Sequence, residues 1–189
     1  MSKKTTRQKI YDLVLAAMFL AIGIVLPIFT GQIPQIGKML LPMHLPVLLC
    51  GLICGWQYGG TVGFVLPILR YAMFGMPPMP NGLAMAFELA AYGIIVGLIY
   101  SRSRWQCVIS LYRSLLIAMM GGRLVWAAVR VVMTGVAQMP FTWEIFLADA
   151  FLSAIPGIIL QLIFIPTLMV ALDRTGLVHF RRHTVSAAE

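Results

Sequence analysis

The stretch Leu83–Tyr100, LAMAFELAAYGIIVGLIY, holds eighteen residues of which only Glu88 is charged. An apolar run of that length suits one helical crossing of a bilayer, which takes roughly 20 residues at about 1.5 Å each. The same grammar repeats on either side. Upstream lie apolar runs at Ile10–Phe29, Met39–Cys54 and Tyr58–Phe74; downstream lie Leu111–Thr134 and Trp143–Leu172. Pro/Gly-rich connectors part them, chiefly TGQIPQIGK at 30–38 and GMPPMPNG at 75–82. The pattern predicts an all-α integral membrane protein, six transmembrane helices in one compact bundle. Residues 1–9 form a basic N-terminus, 10–172 the membrane domain and 173–189 a basic tail.

Composition agrees. The 189 residues are 60% hydrophobic and 11% charged, with a mean hydropathy of +0.92. A soluble domain carries about 25% charged residues, so most of this chain avoids water and no soluble nucleotide-binding or catalytic domain is housed in it. The net charge of +8 is a matter of topology and lipid headgroups, not of nucleic acid. With the N-terminus inside, Lys3, Lys4, Arg7, Lys9, Arg102, Arg104, Arg113, Arg174, Arg181 and Arg182 fall on the cytoplasmic side and only Lys38 on the outer side. That excess places both termini in the cytoplasm. The first apolar run has no small-residue cleavage site and reads as a retained helix. Cys50, Cys54 and Cys107 sit in or beside apolar runs; two soft ligands four residues apart make a poor metal site, and no cofactor or metal is expected.

Charges inside the spans are the informative residues, because each costs roughly 2.5–3.5 kcal/mol on insertion and normally faces a polar interior. Arg70, Glu88, Arg130 and Asp149 all fall about 6–9 Å below the outer ends of their spans at about 1.5 Å per residue, with Arg123 nearer mid-membrane. Arg123, Trp126, Ala127 and Arg130 share one stripe of the fifth span, Glu88 and Tyr92 a face of the fourth, and Asp149, Ser153 and Pro156 a face of the sixth. Charges interleaved with aromatic rings, in the outer half only, describe a pocket open to the outside for a small polar or aromatic molecule. Lys38, Gln32 and Gln35 in the first outer loop are placed to reach over it. Simple ion pairing of these charges is the alternative, though a buried pair is a poor source of net stability. Glu144, beside Trp143, reads as an interfacial or helix-start charge, and His44, between Pro42 and Pro46, as a packed, hydrogen-bonded residue.

Small residues recur at helical spacing. Ala17 and Ala21 lie four apart on the first span; Gly51, Gly55, Gly59 and Gly63 run across the second and third. Such spacing brings helices close in lipid, where hydrophobicity gives no drive. Internal packing suits the glycines, whereas the alanines fit internal packing or a partner surface equally.

A basic N-terminus leading into Leu15-Ala16-Ala17-Met18-Phe19-Leu20-Ala21-Ile22-Gly23 is followed by an outer loop and by Leu45-Pro46-Val47-Leu48-Leu49-Cys50-Gly51-Leu52-Ile53-Cys54-Gly55. With the Gly-rich third span and six helices, nearly the whole chain resembles the substrate-binding S component of an energy-coupling factor (ECF) transporter. One departure is Gly55-Trp56 where the family usually has Gly-Pro. The resemblance implies capture of a vitamin or related micronutrient at the outer ends of helices four to six and the first outer loop. It implies docking through Ala17 and Ala21 on a transmembrane T component, two cytoplasmic ATPase subunits as motor, and toppling of the S component to release its cargo. The bacterial plasma membrane is the implied location. Substrate contacts are then expected from Arg70, Glu88, Tyr92, Arg123, Trp126, Arg130, Asp149 and Lys38. Three arginines suit a carboxylate or phosphate; Glu88 and Asp149 suit the N–H groups of a heterocycle stacked on Trp126 and Tyr92. Three rival functions remain, of which a scaffold subunit with no ligand fails to explain the polar outer layer. An intramembrane enzyme wants a base beside Ser153, and no histidine lies on spans three to six, so no catalytic residue is assigned. A stand-alone small secondary transporter or channel wants polar groups through both halves of the bilayer, which the inner half lacks.

Overall fold

A chain segment in lipid must satisfy its own peptide groups, and these apolar runs do so as helices. The computed structural model describes residues 5–30, 41–79, 81–103, 108–137 and 155–174. These contain six helices and no strand: α1 (Thr6–Thr30), α2 (His44–Ile53), α3 (Trp56–Phe74), α4 (Asn81–Arg102), α5 (Val108–Ala137) and α6 (Ile155–Arg174). Four of them, over Thr6–Ile28, Asn81–Arg102, Val108–Met133 and Ile155–Arg174, are long and apolar enough to cross a membrane. The ten residues of α2 reach only about 15 Å, half a hydrocarbon core of about 30 Å. In α3, Gln57, Gly59, Gly60, Gly63 and Arg70 dilute the apolar content.

The second helix is shorter than Met39–Cys54 because Leu41 takes a positive φ of 47°, and its carbonyl accepts the N–H of His44 at 3.0 Å to start the helix there. The sixth run was expected from Trp143; its described helix begins at Ile155, with 143–154 outside the described residues. Gly55, the turn between α2 and α3, has φ 101° and nothing within 4 Å of where a Cβ would stand. Of the four spaced glycines it alone serves the backbone rather than packing.

Gly51, Gly59 and Gly63 pack as expected. A Cβ on Gly59 or Gly93 would strike the other helix's backbone, and one on Gly63 would strike the Leu89 carbonyl. The helices α3 and α4 therefore touch backbone to backbone, the close approach that small residues permit in lipid. Centrally placed, α4 packs on α2, α3 and α5, while α1 covers α2 and α3, and α6 lies on α5 and α2. Leu48, Val96, Leu115, Ile165 and Met169 fill the core between α2, α4, α5 and α6. Cys50 and Cys54 are buried thiols in a second core with Ala16, Val47, Leu66 and Leu89.

Candidate functional site

Two polar rungs join α4 to α5. In the outer rung Arg130 donates from Nη1 to Asn81 Oδ1. In the inner rung Arg123 Nη1 meets Glu88 Oε1 at 3.2 Å. The helices run antiparallel, and moving seven residues along each carries one pair to the other, a drop of about 10 Å. Between the rungs Trp126 is buried against Ala84, and the Arg130 guanidinium lies over its ring at 5.6 Å, a cation–π contact.

The rungs correct the single outer layer expected from helix ends. Glu88 stands level with Arg123, not Arg130. The reason is overhang: Asn81 opens α4 opposite Arg130, and α5 runs seven residues farther out, to Ala137. Depths counted from the two helix ends therefore differ by about two turns.

Around the inner rung, Tyr92 donates its hydroxyl to Glu88 Oε1 at 3.2 Å. Gly122 leaves room for the Tyr92 ring, since a Cβ there would stand 2.8 Å from it. His44, the first residue of α2, sets its ring edge-on to Tyr92, with centroids 5.2 Å apart, and brings Nε2 to 3.9 Å from Glu88 Oε1. Glu88 and His44 are 2% and 1% exposed and Arg123 is 11% exposed, so the carboxylate is closed off while the guanidinium side chain keeps a narrow exposure. Yet polar capacity is left over. Arg123 Nε and Nη2 and both His44 ring nitrogens are buried with no hydrogen-bond partner among the described residues; elsewhere on α6, so is Gln161 Nε2. Buried polar atoms of this kind are costly and call for an explanation.

The remaining expected residues divide. Arg70 turns to α1, donating from Nη1 to the Ile24 carbonyl at 3.2 Å with its guanidinium 5.9 Å from the Phe74 ring centre. Lys38 and Asp149 lie outside the described residues, as do Gln32, Gln35, Glu144 and Ser153. Ala17 and Ala21 are exposed, whereas their neighbour Ala16 is buried. Sequence reasoning passed over Asn81 and Gln161. Asn81 was read as part of a connector, and Gln161, an uncharged amide within an apolar run, is the kind of signal that a search for charges overlooks. His44 was read as hydrogen-bonded; its ring nitrogens instead lack such partners among the described residues.

The model of one protein family, described as ECF transporter, substrate-specific component, matches residues 11–172. No curated protein and no solved structure matches the chain.

Proposed function

The chain belongs to the substrate-specific components of ECF transporters, and from that membership we propose that it is the capture subunit for a vitamin or related micronutrient. The ligand enters from outside and meets Glu88, Tyr92, Arg123, Trp126 and Arg130 along the α4–α5 seam. Arg70 contributes from the α1 side, and Lys38 and Asp149 come in from the first outer loop and the segment before α6. Loaded protein docks through Ala17 and Ala21 on a T component driven by two cytoplasmic ATPase subunits, in a bacterial plasma membrane, with six spans and both termini inside.

One observation supports this reading above the others: the inner rung is a buried ion pair with unspent hydrogen-bonding atoms on both Arg123 and His44. A purely structural pair in lipid contributes little net stability and is expensive to insert. A pair kept half-satisfied is instead suited to a ligand that completes it. The test is mass spectrometry of small molecules released from protein purified after expression in rich medium. A stoichiometric vitamin-like compound is the expected result; protein that is empty, and stays empty through a screen of micronutrients, overturns the capture role.

A further inference from the structure

Arg123 is half used, and the unused half has a shape. In a guanidinium Nη1 lies on the Cδ side, so Nε and Nη2 share the other edge and their N–H bonds run nearly parallel. Nη1 is the nitrogen committed to Glu88, while Nε and Nη2 are the two without a hydrogen-bond partner among the described residues. The unspent donors therefore form one intact two-pronged edge, which matches the two oxygens of a single carboxylate.

The surroundings hold that edge in place. Glu88 Oε1 takes both the Arg123 Nη1 contact and the Tyr92 hydroxyl, so the carboxylate that orients the guanidinium is itself oriented. Tyr92 is in turn wedged between His44 and the notch at Gly122. Desolvation points the same way. A phosphate dianion carries a larger desolvation cost than a carboxylate, and an uncharged ring offers the fork no pair of negative oxygens.

We propose that the captured ligand carries a carboxylate, bound side-on by the Nε–Nη2 edge of Arg123, with Glu88 and Tyr92 as positioning residues. The proposal rests on the capture role above and narrows its substrate class.

The test is isothermal titration of the purified full-length protein with paired probes: pantothenate against pantothenol, biotin against biotin amide, and nicotinate against nicotinamide, with riboflavin and thiamin as probes lacking a carboxylate. The expected result is that one acid binds and its uncharged partner binds about tenfold to a hundredfold more weakly, the worth of hydrogen bonds to a charged group. This comparison needs no variant. Arg123→Lys, which keeps the charge and loses the fork, should weaken the acid by a similar factor. Should that variant fail to fold, the double change Arg123→Gln with Glu88→Gln leaves no unpaired charge and should abolish the acid–amide discrimination. Equal binding of acid and amide, tight binding of a probe without a carboxylate, or an acid held unchanged by either variant each overturns the clamp and leaves the capture role standing. Binding of no probe at all overturns both.

Discussion

A single oxygen, Glu88 Oε1, receives the Arg123 guanidinium and the Tyr92 hydroxyl, each at 3.2 Å. At that depth water cannot replace either contact. Glu88→Ala should therefore act mainly by stranding Arg123: breaking one side of a buried pair costs about 3–5 kcal/mol, read as a lower melting temperature in detergent. Joint replacement of Glu88 and Arg123 by Gln should cost clearly less than Glu88→Ala. If the single change proves as mild as the double one, Arg123 has another partner and the inner rung is not a unit.

Among the helices, the α3–α4 seam is set by what is missing from it. Gly59 and Gly93 let the two backbones meet, and no side chain can be added without pushing α3 away from α4, the helix that carries Glu88 and Tyr92. Gly93→Ala is expected to destabilise by about 1–3 kcal/mol, the usual range for overpacking. Gly135→Ala, on α5 with open space around the new Cβ, should cost nothing and gain up to about 1 kcal/mol from helix propensity. Thermal melts of both variants check the pair, and equal losses would show that backbone contact at Gly93 is not what holds the seam.

For the molecule as a whole, α1 divides its alanines between two surroundings. Ala16 is buried in the core, while Ala17 and Ala21 face outward beside Val14, Met18 and Ile22. A partner helix can reach that face without touching the α4–α5 seam. Replacing Ala17 and Ala21 by Trp should block co-purification with the T component and stop uptake, with ligand affinity unchanged. Joint loss of affinity and assembly would place these alanines in internal packing instead.

Much of this was legible in the sequence because hydropathy and helical period are local properties. Eighteen residues with one charge specify a helix for lipid wherever they are later packed, and the i, i+3, i+7 spacing put Arg123, Trp126 and Arg130 on one face before any partner was known. The α4–α5 partnership was not local. Glu88 and Arg130 gave matching depths when counted from their own helix ends, yet Glu88 pairs with Arg123, because α5 overhangs α4 by about two turns. Nothing within either segment encodes that offset. It arises from interlocking shapes across the seams, Tyr92 in the notch at Gly122 and Trp126 against Ala84. The sequence by itself thus determined the solvent, the helices and the faces that carry charge. Only the tertiary structure decided which charges meet and which edge of Arg123 is left without hydrogen-bond partners, because interhelical register is a property of two packed surfaces and belongs to neither alone.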